Sequence, residues 1–304
     1  MGKPTQRILL SGASGLIGSA IRGAAREQGM EVTALVRRHH LVGPGAVYWN
    51  PAKADAKVHP VGLEGFDAVV HLSGANVARR WTGEYRREIV ESRVASTRML
   101  CESLAQVRRR PRVLLCASAV GIYGDRGDEV LTEESTEGTG FLAETCTAWE
   151  AAAKNACALG IRVVHLRLGV MLSRKGGALG KMLPAFRCGL GGRLGSGRQW
   201  MSWISMRDLV RAAIFLMDHE ELAGAFNLTA PNPVTNATFT AVLASAVHRP
   251  ALLPVPAGML RMIFGEMADQ TLLASQRVLP RGLADAGFRF EDQEVKAALG
   301  ALLR

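Results

Sequence analysis

The sequence predicts an α/β fold in which a doubly wound parallel sheet is followed by a smaller, mixed C-terminal region. Three observations predict it. Short runs rich in Val, Leu and Ile alternate with longer stretches of helical periodicity over the first two thirds of the chain. A glycine-rich turn joins the first apolar run to the first helical stretch. After Leu172 this alternation gives way to a long glycine-rich stretch.

The predicted strands are almost continuously apolar, as parallel strands buried on both faces are. They are RILLSG, EVTALVRR, DAVVHLSG, RVLLCASAVGIYG and RVVHLRLGVML. The predicted helices between them are SAIRGAAREQG, TGEYRREIVESRVASTRMLCESLA and FLAETCTAWEAAAKNACALG. The first and last of these helices end on Gly29 and Gly160, a residue type that commonly follows a helix. Because crossovers between parallel strands are right-handed, the alternation predicts a sheet with helices on both faces.

Composition restricts the class of protein. With 304 residues, of which 48% are hydrophobic and 21% charged, the chain is suited to bury a large core. No apolar run is long enough to span a bilayer and no signal-peptide stretch is apparent, so we expect a cytoplasmic protein without a membrane partner. Five scattered cysteines and seven histidines without ligand spacing predict neither a disulfide nor a metal site.

The formal net charge of +10 raises the question of a nucleic-acid partner. The basic residues are mostly arginines in short clusters, and no aromatic residues are interleaved with them as in proteins that bind single strands. Solvated arginines that also attract anionic ligands account for the charge. We therefore expect no nucleic-acid partner.

A phosphate-binding loop is predicted directly after the first strand, where Gly12, Gly15 and Gly18 are spaced G-x-x-G-x-x-G. The glycines allow a sharp turn and allow backbone N–H groups to approach a pyrophosphate, which the positive end of the following helix attracts. A strand before the turn and a helix after it are the context that supports this interpretation. We expect this Rossmann-like loop to bind a dinucleotide through Gly12, Ser14, Gly15, Leu16, Ile17 and Gly18.

The end of the second strand predicts which dinucleotide binds. Where an acidic residue would hold the ribose 2′-hydroxyl of NAD, the sequence has Arg37 and Arg38. A guanidinium binds a phosphate through two parallel hydrogen bonds, so these residues favour the 2′-phosphate of NADP. The predicted cofactor is therefore NADP.

The chain is expected to divide at residue 172. Residues 1–172 form the dinucleotide-binding domain, and residues 173–304 form a mainly substrate-side region, with 199–230 returning to the sheet as a helix and a strand. The stretch from Gly176 to Gly197 is predicted to be an irregular loop, long enough to suggest a function in substrate binding.

The motif LSGAN at the end of the predicted strand DAVVHLSG and the motif SAVGIYG at the end of RVLLCASAVGIYG, together with the phosphate loop, resemble the extended short-chain dehydrogenases/reductases. Three further tracts are similar to an atypical branch, the epimerase family proteins, which have their own C-terminal extension and are NAD-dependent epimerase/dehydratase-like. These tracts are RRWTGEYRREIVESRV, GLGGRLGSGRQWMSWI and the tail from LPVP to GFRF.

The resemblance implies further cofactor contacts. Residues at the end of the predicted strand DAVVHLSG would line the adenine and ribose side, two residues of the next helix would face the cofactor, and two near residue 170 would pack near the nicotinamide. In that order they are Leu72, Ser73 and Gly74, then Glu88 and Arg93, then Val170 and Met171.

The catalytic pair of the wider superfamily, Tyr-x-x-x-Lys, is absent. The residues four positions after the three tyrosines are Ala52, Ile89 and Gly127. Alignment on Glu150 puts Leu142 in the tyrosine position and Cys146 in the lysine position. Since an unassisted phenol of pKa about 10 is ionised only about one part in a thousand at neutral pH, the lysine is essential to the usual mechanism.

Two hypotheses about function remain, and the catalytic residues stay unassigned. The first is an NADP(H)-dependent oxidoreductase or epimerase with relocated acid/base groups, contributed by Tyr123 or by a residue of the glycine-rich loop 176–198. Ser118 is a further candidate, and packing alone would also explain Ser118 and Tyr123. The second is a catalytically silent NADP(H) sensor or regulatory module. The expected partner is a small-molecule substrate of unspecified identity, and a homodimer is compatible with the sequence.

Overall fold

The computed structural model describes residues 5–52 and 60–304 of the chain. Its strands are β1 (Arg7–Ser11), β2 (Glu31–Val36), β3 (Ala46–Tyr48), β4 (Ala68–His71), β5 (Val113–Ala119), β6 (Val130–Leu131), β7 (Arg162–Leu168), β8 (Val170–Leu172), β9 (Trp200–Met201), β10 (Trp203–Ser205), β11 (Gly224–Leu228), β12 (Val234–Thr235) and β13 (Arg277–Val278).

The helices connect these strands and extend the C-terminal region. They are α1 (Leu16–Glu27), α2 (Gly83–Leu104), α3 (Phe141–Lys154), α4 (Gly177–Arg187), α5 (Met206–Asp218), α6 (Asn236–Ala246), α7 (Ala257–Phe264), α8 (Arg281–Asp285) and α9 (Val295–Leu303). No helix in the described parts of the chain combines the length and the apolar composition needed to cross a membrane.

The main sheet has seven strands in the order β3-β2-β1-β4-β5-β7-β11, and all neighbouring strands are parallel. Strand order reverses at β1, which lies between β2 and β4, as it does at the ligand-binding crevice of doubly wound sheets. The predicted Rossmann-like α/β fold is confirmed.

The apolar strands bury alternate side chains in two layers. Ile8 and Leu10 of β1 belong to the cluster that α1 and α5 cover, whereas Leu9 belongs to the cluster that α2 and α3 cover. Successive side chains of a strand point to opposite faces, so a strand covered on both sides must be apolar throughout. This is why these strands carry no alternating polar residues.

The C-terminal region has a core of its own and is linked to the sheet. Phe186, Trp203, Phe239 and Leu299 pack in this core, which α4, α6 and α9 surround. Three two-stranded sheets, β8–β10, β9–β12 and β6–β13, connect this region to segments that follow the main strands. The division of the chain at residue 172 stays a prediction.

The structure differs from the predicted elements at several places. The strand predicted over RVLLCASAVGIYG ends at Ala119 and is followed by a short 3-10 helix, Val120–Tyr123. The stretch from Gly176 to Gly197, predicted to be irregular throughout, contains the eleven-residue helix α4. Strand β3 was not predicted, and the single strand predicted over RVVHLRLGVML is divided at Gly169 into β7 and β8. The helix α4 forms despite its glycines because Leu179, Leu183 and Phe186 are buried at helical spacing.

Candidate functional site

The residues predicted to bind the cofactor follow parallel strands at one edge of the main sheet. The phosphate loop follows β1, Arg37 follows β2, and Leu72 follows β4. The carboxyl ends of parallel strands lie at the same edge, so the fold brings these segments to one side. The edge at the reversal of strand order is therefore the candidate site.

The phosphate loop has the close backbone packing that its glycines predict. Gly12 has a φ of 71°, and the Gly15 N–H donates to the Gly12 carbonyl at 2.9 Å. A Cβ on Gly18 would lie only 2.2 Å from the Gly12 carbonyl oxygen, so a side chain there would require the turn to open. Helix α1 begins after Gly15 without a side-chain cap and without an acidic residue in its first turn. Its first N–H groups are available to a phosphate.

Arg37 and Arg38 are exposed directly after β2. Neither has an ion-pair partner among the residues that the structure describes, so both guanidiniums are available to a ligand. Val36 pairs with Tyr48 of the edge strand β3, and the Tyr48 ring stacks on His39 with ring centroids 3.7 Å apart. The strand end that carries the two arginines is thereby held in place.

The segment after β4 is fixed by hydrogen bonds from α2. The Ala75 N–H donates to Ser92 Oγ at 2.9 Å, and the Ala75 carbonyl accepts from Arg93 Nη2 at 2.8 Å. The hydroxyl of Tyr85 donates to the next carbonyl, that of Asn76. These bonds hold the backbone of Ala75 and Asn76 against α2, and the Arg93 guanidinium lies beside Gly74.

The other predicted contacts lie in two places. Glu88 is exposed on α2, and no hydrogen bond or ion pair joins it to Arg93 in the described structure. Val170 and Met171 are half-buried in β8, beside β10. A Cβ on Gly176 would lie 3.0 Å from Leu16 of the phosphate loop, and one on Gly177 would lie 3.5 Å from Met171 Cε. The start of α4 therefore lies between the phosphate loop and β8.

The comparisons with known proteins match this geometry. The sequence model of the NAD dependent epimerase/dehydratase family matches residues 8–229, which include the main sheet and the candidate site. The chain belongs to this family. A second model, described as a domain of unknown function (DUF1731), matches residues 255–302, the C-terminal extension that the resemblance predicted.

Similar proteins of this epimerase family include an epimerase family protein of Mycobacterium bovis, 45% identical over 96% of both chains. The crystal structure of the human epimerase family protein SDR39U1 (isoform 2) with NADPH is 31% identical, with a TM-score of 0.88 and coverage of 98% of this chain and 99% of the human one. The nucleoside-diphosphate sugar epimerase of Corynebacterium glutamicum is 34% identical with a TM-score of 0.80, and the match covers 99% of this chain but 58% of that protein.

Leu142 and Cys146, the residues that the sequence prediction aligns with the usual catalytic pair, both lie on α3. Leu142 lies in the first turn of α3, where its N–H donates to Gln270 Oε1 at 2.9 Å. Cys146, one turn later, is buried, and burial raises the pKa of its thiol to about 12 although the charge of Arg93 opposes this. The thiol is therefore neutral and a poor nucleophile.

Ser118 and Tyr123, the alternative candidates, belong to a buried polar network. Ser118 Oγ donates to Glu150 at 2.7 Å, and the Tyr123 hydroxyl donates to Asn227 Oδ1 at 2.8 Å while it accepts from Arg167 at 2.9 Å. Arg167 also forms an ion pair with Glu150. Burial raises the pKa of Tyr123. Both hydroxyls are engaged in hydrogen bonds within this network, and the Tyr123 side chain is not accessible to solvent.

Sequence reasoning missed two residues at the site, Gln270 and Trp149. Gln270 comes from the C-terminal extension to bind the start of α3, and its sequence neighbourhood contains no signal for that contact. Trp149 packs under Arg93, whose Cζ lies 5.2 Å from the Trp149 ring centroid. The three-residue spacing of Cys146 and Trp149 along α3 was a signal that both lie on one face.

Proposed function

We propose that this chain is an NADP(H)-dependent oxidoreductase or epimerase of small molecules whose acid/base groups do not lie on α3. The proposal rests on two features together: α1 begins without a side-chain cap behind a tight glycine turn, and two exposed arginines after β2 have no ion-pair partner among the described residues. The first feature suits a pyrophosphate, and the second suits a 2′-phosphate. The NADPH of the human relative at 31% identity supports the same cofactor.

The preference for NADP is tested by fluorescence titration of NADPH and NADH against wild type and Arg37→Ala. A guanidinium–phosphate contact at an exposed site contributes roughly 1.5–3 kcal/mol, or about ten- to a hundredfold in affinity. Arg38 is expected to share the phosphate, so Arg37→Ala should weaken NADPH about tenfold and leave NADH nearly unchanged. The double variant Arg37→Ala/Arg38→Ala should remove most of the preference.

Arg98→Ala is the matched control, because Arg98 is exposed on α2 and away from the second strand in sequence. It should leave both affinities unchanged. The loss of NADPH affinity in the Arg37 variant should also shrink as salt is added, since ions screen an exposed charge pair. Equal wild-type affinities for NADPH and NADH, or equal losses for both, would contradict the NADP assignment.

The alternative function is a silent NADP(H) sensor, and the neutral thiol at Cys146 together with the enclosed Tyr123 hydroxyl favours it. Loss of one acid/base group typically costs 10²–10⁴ in rate, so slow chemistry is compatible with the geometry. Because the Corynebacterium relative is described as a nucleoside-diphosphate sugar epimerase, nucleoside-diphosphate sugars are the first substrates to test.

We expect NADPH binding without fast turnover when product formation is followed on a panel of these sugars. Slow turnover above the background of free cofactor would support the enzyme hypothesis. Absence of turnover would support the sensor hypothesis. Fast turnover would contradict the claim that α3 has lost its acid/base function.

A further inference from the structure

The second half of the chain contains two long stretches without any acidic residue. No Asp or Glu occurs between Glu150 and Asp208, whereas Lys and Arg occur ten times there. None occurs between Glu221 and Glu266, which enclose two arginines. These twelve cations exceed the formal net charge of the chain, +10, so the remaining residues together are close to neutral. The positive charge of the protein is therefore concentrated in these two stretches.

Parts of both stretches lie side by side on the C-terminal region. The Val255 N–H donates to the Arg193 carbonyl at 2.9 Å, and the Val255 carbonyl accepts from the Gly195 N–H at 2.8 Å. Two residues after Val255 the chain enters α7. Residues 187–195 and 249–263 thus form one continuous surface, which we call the apolar strip.

The apolar strip exposes most of the large apolar side chains that the protein presents to solvent. On α7, Met259, Met262 and Ile263 are spaced to share one face, and they are exposed while Leu260 is buried. Contiguous exposed apolar patches mark interaction sites. Of the nine large hydrophobic side chains exposed in the described parts of the chain, six belong to the strip: Leu190, Leu252, Leu253, Met259, Met262 and Ile263.

Arginines are interspersed with these apolar side chains. Arg187 and Arg193 enclose Leu190 in the sequence, and Arg249 precedes Leu252. All three arginines are exposed, and none forms an ion pair with another residue of the described structure. Arg249 Nε donates to the Arg187 carbonyl at 3.1 Å, so the two segments meet at their arginines. The strip contains no carboxylate, and its charge is available to an anionic partner.

The combination of charge and apolar surface indicates the kind of partner. A second copy of the chain would bring like charges together at the apolar strip. A nucleic acid would neutralise the arginines, but its phosphates offer no place for exposed Leu, Met and Ile side chains. An anionic bilayer offers both, since its headgroups attract arginines and its acyl chains receive apolar side chains.

We propose that the apolar strip docks on an anionic phospholipid surface. Leu252, Leu253 and the outer face of α7 enter the acyl-chain boundary, and Arg187 and Arg193 contact headgroup phosphates. The contact is peripheral. The expectation of no membrane partner rested on segments that span a bilayer, whereas this surface lies on a bilayer without crossing it. The docking needs no cofactor and is independent of the NADP(H) chemistry proposed above.

Cosedimentation with two kinds of vesicle tests the docking: phosphatidylcholine alone, and phosphatidylcholine with an equal part of phosphatidylglycerol. Wild type should bind the mixed vesicles and leave the neutral ones unbound. Leu252→Ser/Leu253→Ser removes two inserted side chains and should weaken binding about ten- to a hundredfold. Arg187→Gln/Arg193→Gln should weaken it about ten- to thirtyfold, since each arginine near an anionic surface contributes about fivefold.

Matched variants away from the apolar strip control for hydrophobicity and for net charge. Leu41→Ser/Val42→Ser changes side chains that are 52% and 48% exposed, close to the 56% of Leu253. Arg98→Gln/Arg108→Gln removes two exposed arginines outside both acid-free stretches. Both controls should bind as wild type does. Equal losses in the control and strip variants would overturn the proposal, because binding would then follow overall charge or hydrophobicity.

The failure of wild type to bind mixed vesicles would also overturn the proposal. If a single-stranded RNA probe then bound, the partner would be a nucleic acid; if it did not, an acidic protein would be favoured. Equal binding to neutral and mixed vesicles would contradict the role of the arginines. Cofactor affinity is unaffected in all these outcomes, so they are distinguishable from a failure of the NADP assignment.

A label at Cys188 tests insertion directly. Cys188 follows Arg187 at the edge of the apolar strip, and in the described structure the other exposed thiol is Cys157, which precedes β7 at the opposite edge of the main sheet. Acrylodan on Cys188 of the Cys157→Ser protein should shift its emission to shorter wavelength when mixed vesicles are added. The label on Cys157 of the Cys188→Ser protein should not shift. No shift at Cys188, or equal shifts at both positions, would contradict docking through the strip.

Discussion

At the scale of single residues, burial in the core of the sheet keeps the side chain of His71 uncharged. It ends β4, is fully buried, and its Nδ1 lies 2.7 Å from Ser11 Oγ on the neighbouring strand β1. Burial lowers the pKa of His71 to about 4. The imidazole is neutral in the folded protein over the physiological range, and it serves as a hydrogen-bonding core residue.

The depressed pKa of His71 predicts a loss of stability in mild acid. The unfolded chain takes up the proton near pH 6.5 and the folded protein only near pH 4, so the stabilisation is complete above pH 6.5 and is lost as the pH falls towards 4. Between pH 7 and 4.5 the free energy of unfolding should fall by about 2–3 kcal/mol because of His71. Urea unfolding of wild type and His71→Gln at both pH values measures it. An equal pH effect in the two proteins would contradict the assignment.

At the scale of elements, a buried ion pair joins α3 to β7. Arg167 Nε lies 2.9 Å from Glu150 Oε1, and only 9% and 8% of the two side chains are exposed. Burial raises the pKa of Glu150, but the hydrogen bonds and charge of Arg167 outweigh this and lower it. The pair also fixes the Tyr123 hydroxyl, which accepts from Arg167. It is the centre of the polar network beneath the candidate site.

Arg167→Met should destabilise the protein by about 3–5 kcal/mol, because it leaves the Glu150 carboxylate buried and unpaired. Arg281→Met is the matched control: Arg281 pairs with Glu134 at the same 2.9 Å, but both side chains are mostly exposed. That pair should contribute less than about 1 kcal/mol. Chemical denaturation measures both. The double variant Arg167→Met/Glu150→Leu should recover much of the loss, and no recovery would argue against an unpaired charge as the cause.

At the scale of the whole molecule, the C-terminal extension is interlocked with the sheet. Helix α5 packs against the main sheet. Its Asp208 carboxylate accepts hydrogen bonds from the backbone N–H groups of Glu291 and Asp292 in the extension. β13 pairs with β6, and α9 packs on α6 in the C-terminal core. Residues far apart in sequence thus depend on each other for burial and for hydrogen bonds.

This interlocking predicts that the chain unfolds in one cooperative transition. Leu299→Ala, at a position with no exposed surface, should cost about 2–5 kcal/mol and move the whole transition to lower temperature. Lys296→Ala on the exposed side of α9 is the control and should change stability by less than about 0.5 kcal/mol. Differential scanning calorimetry measures both. Two transitions, of which only the smaller moves, would instead show that the extension unfolds separately.

The sequence alone determined the α/β class and the family, and it predicts the phosphate loop, because each depends on local patterns. Continuous apolar strands, the spacing of Gly12, Gly15 and Gly18, and arginines after the second strand are signals that a few neighbouring residues carry. The family match and the seven-stranded parallel sheet bear out the class and the resemblance.

Only the tertiary structure decided which side chains meet. Helix α4 forms because Leu179, Leu183 and Phe186 find a core that other segments build, against the weak helix preference of its glycines and Pro184. Hydrogen bonds with Arg167 and Asn227 hold the Tyr123 hydroxyl in a buried network. Arg93 of α2 packs over the ring of Trp149 on α3. Such contacts join residues far apart in sequence, 104 positions in the case of Tyr123 and Asn227, and local periodicity contains no record of them.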